Sequence, residues 1–158
     1  MIVSDSSPLI VLKKAGAIQL LQRLFSRVLI PEAVWAEVCI KEREFFERLE
    51  FLSIETPRRP ELVGVLEILV DTGEAEAIAL SLERSLAILI DDLRGRRVAR
   101  KLGLVVVGSL GVLALAKKRG LIPEVRPYVS RLRSSGCYLS DELVETFLRR
   151  LGEAEGSR

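Results

Sequence analysis

The chain has 158 residues, of which 49% are hydrophobic and 29% charged, with a formal net charge of +2. That is enough for one domain with a proper core, and the weak basicity admits nucleic acid as a partner without requiring it. There is no His, which excludes imidazole acid–base catalysis, Ser-His-Asp and Cys-His nucleophiles, and imidazole metal sites. Cys39 and Cys137 have neither a zinc spacing nor the makings of a disulfide framework. The apolar runs are too short for a bilayer, and Asp5 interrupts a signal-peptide reading, so a reduced, cytoplasmic setting without a membrane partner is expected.

The first stretch, Ile2 to Ile10, is a short apolar strand ending in Asp5, with Ser7 as N-cap and Pro8 opening a helix that Gly16 stops. An amphipathic piece over 18–25 and a strand over 28–30 follow. Pro31 then opens a long helix through Val34, Trp35 and Val38 that reaches Phe45, Phe46 and Leu49 and carries Glu37. Residues 51–54 read as a third strand and 62–70 as a helix. Asp71 and Glu74 have the spacing of a capping box at the head of a small-residue helix, 73–80. Residues 86–90 form a continuously apolar strand, which indicates cover on both faces, and Asp91-Asp92 end it. Arg94, Arg96, Arg97 and Arg100 load the next helix, a fifth strand spans 104–107, and Ser109 caps a helix to Arg119. Helices over 123–133 and 141–151 complete one domain, 1–158, with 123–151 appended to it. Alternating strands and helices give an α/β fold with a mainly parallel sheet.

Acidic residues recur where strands end. Asp5 and Asp91-Asp92 follow strands directly, while Glu37, Glu74 and Glu76 lie on helices expected to pack near the same sheet edge. Converging carboxylates repel unless a cation joins them, and an all-oxygen set suits magnesium or manganese rather than zinc. Taken singly, each acid also reads as a cap, a solvated turn or a helix-surface charge. Glu74 and Glu76 stand about 200° apart around a helix, so they cannot both face one metal.

Five segments in register carry a resemblance: Val3–Ile10, Ile30–Val38, Gly73–Leu80, Ile90-Asp91-Asp92 with Arg96–Ala99, and Gly108–Leu113. Together they resemble the PIN-domain family, in particular its small prokaryotic branch of toxin ribonucleases from toxin–antitoxin pairs. The resemblance implies a three-layer αβα fold with a five-stranded sheet in the order 3-2-1-4-5. It also implies Mg2+- or Mn2+-dependent endonucleolytic cleavage of RNA, an antitoxin protein as partner, and a homodimer. Carried over by position, Asp5 is the first metal ligand with Ser7 nearby, and Glu37 the second. The third is Glu76 by alignment or Glu74 by the Gly-Glu pair; the fourth is Asp92, with Asp91 as alternative. Arg94, Arg96, Arg97 and Ser109 would meet the RNA.

The alternative is a non-catalytic module of the same fold that binds RNA or a protein. A phosphate-receiver domain would need paired acids near the first strand and a Lys after the fifth, and a haloacid-type phosphatase would need Asp-x-Asp; the chain has neither. With no imidazole to run a 2′-hydroxyl route, the implied nucleophile is water activated by metal at Asp5 and Asp92. The candidate partner surface is the apolar face of residues 8–25 together with Phe45, Phe46 and Leu49.

Overall fold

A computed structural model of the chain, described for residues 1–153, has a parallel sheet of five short strands. These are β1 (Ile2–Ser4), β2 (Val28–Ile30), β3 (Leu52–Ile54), β4 (Ile88–Leu89) and β5 (Val106–Val107), in the order β3-β2-β1-β4-β5. The expected domain span runs to 158, and residues 154–158 lie outside the described residues.

The helices are α1 (Ser6–Lys14), α2 (Leu20–Phe25), α3 (Glu32–Glu47), α4 (Pro60–Leu66), α5 (Thr72–Arg84), α6 (Leu93–Lys101), α7 (Ser109–Lys118), α8 (Arg126–Ser134) and α9 (Asp141–Arg150). Side chains alternate across each strand, so neighbouring residues feed opposite layers. Ile2, Val28, Ile30 and Leu89 face one core, shared with α1, α2, α3, α7, α8 and α9. Val3, Leu29, Ile88 and Ile90 face the other, shared with α4, α5 and α6. Buried residues on both sides explain why the central strands read as unbroken apolar runs.

The sheet is wholly parallel, and β1 pairs with β2 on one side and β4 on the other. Strand order therefore reverses at β1, and in such sheets the crevice beyond the strands' carboxyl ends is where ligands bind. The α5 helix can lie close to the sheet because Gly73, Ala75, Ala77 and Ala79 are small and buried. Its capping box is present: Asp71 accepts from the Glu74 amide, and Glu74 accepts from the Asp71 amide.

Several boundaries differ from the sequence expectations. The strands from Phe51, Leu86 and Leu104 are shorter, and β5 is a half-buried edge strand. Helix α1 begins at Ser6 with Asp5 as its N-cap, so Ser7 is not the cap. Pro8 then falls at the third position, where its missing amide costs nothing because the first four amides have no helical partner. Ser109 is the first residue of α7 and Gly108 the cap. Helix α3 is kinked at Glu42, and α8 begins at Arg126 rather than at Pro123. Leu9, Leu12, Leu20, Leu21, Leu24, Phe46 and Leu49 are buried, so the apolar faces expected to meet a partner complete the core instead. Among the described residues no helix is long and apolar enough to cross a membrane.

Candidate active site

The end of β1 delivers Asp5 to the crevice. Its backbone amide donates to the Leu89 carbonyl at 2.9 Å, which fixes the strand end against β4, and its side chain makes no capping bond. Asp5 is only 4% exposed, and burial raises its pKa to about 7, helped by the negative charges of Glu37, Asp71 and Asp91. Glu74, 6% exposed at the head of α5, is likewise raised to about 7 by burial and then by Asp71, Asp5 and Asp92. Near neutrality each divides between its protonated and charged forms, where an ordinary carboxyl would be fully ionised.

Each of the other acids has a separate anchor. Glu37 accepts from the Ser6 hydroxyl on the first turn of α1 and lies against the Cα of Gly73, where any Cβ would run into its carboxylate. Asp92 caps α6 by accepting from the Gly95 amide at 2.9 Å, and Glu74 lies over that same Gly95. Asp91 accepts from the Ser109 amide at 2.7 Å and from the Ser109 hydroxyl. Among the described residues none of Asp5, Glu37, Asp71, Glu74, Asp91 and Asp92 takes part in an ion pair.

Glu74 and Glu76 separate as helix geometry requires. Glu76 turns away and accepts from the Ala33 amide at 3.0 Å, capping the start of α3, while Glu74 joins Asp5. Both Asp91 and Asp92 are in electrostatic reach of the cluster, Asp91 through Asp5 and Asp92 through Glu74. Sequence reasoning missed two members. Asp71 was absorbed by its capping role, although a capping acid at the head of a helix that points into the crevice is also a site acid. Ser6 was hidden by placing the cap at Ser7, and moving the helix start to Ser6 turns its hydroxyl inward. Ser7 itself is exposed and lines a groove that also includes Asp91 and Ser109. Arg94 and Arg97 are exposed, whereas Arg96 is half-buried and donates to the Ile90 carbonyl at 3.0 Å.

An all-oxygen set, with Asp5 and Glu74 buried and none of its members in an ion pair among the described residues, has donor chemistry that suits a hard divalent cation. Among the described residues no three of these groups stand close enough to grip one cation as positioned. Magnesium suits such an arrangement, because it keeps much of its water and uses one or two carboxylates together with substrate phosphates.

The architecture is a three-layer αβα fold, a parallel sheet in the order 3-2-1-4-5 with acids at the carboxyl ends of β1 and β4 and on the flanking helices. The sequence model of the PIN-domain family matches residues 1–153, and the chain belongs to that family. No curated protein is similar to it in sequence.

Proposed function

We infer that the chain is a metal-dependent endoribonuclease of the toxin-like PIN kind that hydrolyses RNA phosphodiesters. The supporting observation is the pair Asp5 and Glu74, both buried, both raised to about 7, and neither paired with a cationic side chain among the described residues. A cluster held in that condition is costly to the fold unless something binds it, and a divalent cation is the simplest such ligand. Asp5, Glu74 and Asp92 would hold Mg2+ or Mn2+, with Glu37 and Asp71 completing the acidic surround. When bound, such a cation acidifies water and neutralises charge developing on phosphorus.

The chain's own side chains do the rest. Ser6 fixes the Glu37 carboxylate, and Gly73 leaves it room. Ser109 holds Asp91 in place, and Arg94 and Arg97 offer exposed charge to the phosphate backbone, a contact without base preference. The proposed substrate is single-stranded or loop RNA. The test is cleavage of a single-stranded RNA in Mn2+ by wild type and by Asp5→Asn. Loss of cleavage in the variant supports the enzyme, and no cleavage by wild type contradicts it.

That no three acids among the described residues stand within gripping distance of one cation favours a second reading, a non-catalytic PIN module that binds RNA or a protein. It predicts RNA binding that Asp5→Asn leaves unchanged and no cleavage. The toxin-like reading also carries an antitoxin partner and a homodimer. With Phe46 and Leu49 buried, self-association would use other surfaces, and light scattering at high concentration tests it.

A further inference from the structure

We propose that the groove formed where the α8–α9 connection crosses the ends of β5 and α7 is a nucleobase pocket, which takes one unpaired base of the RNA next to the cleaved phosphate. This rests on the reading of the chain as an RNA nuclease. The groove has a volume of about 640 Å³, within the ~300–1,000 Å³ typical of small-ligand sites. Its lining joins two chemistries. At one end are Asp91, Ser109 and Arg96, so the groove opens directly onto the acidic crevice. The remainder is apolar, and its lining includes Leu93, Tyr138 and Leu143.

Those three side chains are uncovered. Leu93 is 69% exposed, Tyr138 89% and Leu143 46%, so large apolar groups from three separate segments gather around one concavity. Isolated exposed apolar residues need no explanation, but a set that lines a polar-ended groove marks a binding site. The occupant should therefore be flat and apolar on its faces, with polar edges and a neighbouring anion. A nucleobase on a phosphodiester backbone meets each requirement. The Tyr138 ring offers a stacking face, the guanidinium of Arg96 stands at the polar end, and Arg94 and Arg97 of the same helix are exposed to the strand. A protein segment would fill the apolar part but would have no particular use for the arginine-bearing end. Aromatic residues are only 5% of the chain, which fits a single stacked base rather than a platform.

The test uses the full chain in excess chelator, so that binding is read apart from cleavage. Two fluorescein-labelled ribo-oligomers of equal length are compared by anisotropy, one with bases throughout and one abasic at its central positions. Wild type should bind the first about tenfold more tightly, Tyr138→Ala should lose that preference, and Tyr138→Phe should keep it. Tyr138 is exposed, so these variants should melt as wild type does. Leu143→Ser, changed on α9, should weaken the preference in the same direction. Equal binding of the two oligomers by wild type, or an undiminished preference in Tyr138→Ala, overturns the proposal and leaves the groove to a protein partner. A base preference without any cleavage in Mn2+ would leave the pocket standing and remove the nuclease reading alone.

Discussion

The Ser6 hydroxyl donates to the Glu37 carboxylate, joining the first turn of α1 to the middle of α3, and the same carboxylate rests against the bare Cα of Gly73 in α5. Three helices thus meet at one side chain. Because α1 begins where β1 ends and α5 carries Glu74, any displacement of Glu37 is felt at both raised carboxyls.

Gly73→Ala places a methyl group where the Glu37 carboxylate lies. The methyl adds up to about 1 kcal/mol of helix propensity but pushes the Glu37 carboxylate off its bond from Ser6, so the two effects oppose and the melting temperature should move little. Cleavage should fall by roughly a hundredfold, the scale of an ångström-sized misplacement. Steady-state cleavage alongside thermal melts checks this, and an active Gly73→Ala would detach Glu37 from the site.

In the proposed site the third acid is Glu74, which faces Asp5, and not Glu76, which accepts from the Ala33 amide. Glu74→Gln should abolish Mn2+ binding measured by calorimetry. Glu76→Ala should leave that binding intact and lower stability by about 1 kcal/mol, because it removes the acceptor for the Ala33 amide at the start of α3. The opposite assignment in the titrations would reverse the roles.

Stability should depend on pH with a sign opposite to that of most carboxylates. Asp5 and Glu74 have pKa values raised from 3.8 and 4.5 to about 7, so between those limits the folded chain holds protons that the unfolded chain has released. Their contribution is therefore favourable at low pH and is lost as pH rises through that window, on the order of 1.4 kcal/mol for each pH unit and each group. In chelator, the melting temperature should fall between pH 5 and pH 7, and less steeply in Asp5→Asn. Mn2+ should raise it at pH 7.5 and do little at pH 5. A melting temperature in chelator that climbs over the same range would contradict the crowding of these two acids.

The C-terminal helices are tied down by Glu153. Its carboxylate accepts from the amides of Val125 and Arg126 at the start of α8 and from Lys117 of α7 at 2.7 Å. Burial alone would raise its pKa, but these donors hold it below the usual carboxylate range. Glu153→Ala should cost about 2 kcal/mol, seen as a lower urea midpoint. An unchanged midpoint would mean that packing alone holds α8 and α9.

The fold was legible because its signals are local. Apolar runs closed by acids or Pro marked β1, β2 and β4, and the Asp71–Glu74 spacing marked a real capping box. Asp5, Glu37 and Asp91-Asp92 were also readable, since strand order alone brings strand ends and the flanking helices together. The choice between Glu74 and Glu76 was not, because it depends on how α5 rotates against β1, and that is set by which small residues face the sheet. The apolar residues from Leu9 to Leu24, with Phe46 and Leu49, misled for a related reason. An amphipathic pattern shows that a face is covered but not by what, and here it is the protein's own sheet and C-terminal helices. The groove at Tyr138 had no linear signal, since it is assembled from β5, from α1, α6, α7, α8 and α9, and from the segment between α8 and α9.

The most direct test of the central claim is the chemistry of the RNA ends. Single-stranded RNA incubated with the protein and Mn2+ should yield 5′-phosphate and 3′-hydroxyl ends, the products expected if metal-activated water rather than the ribose attacks phosphorus as proposed. Excess chelator or Asp5→Asn should prevent the cut. Fragments ending in 2′,3′-cyclic phosphate, or cleavage that continues in chelator, would contradict hydrolysis at the Asp5–Glu74 cluster.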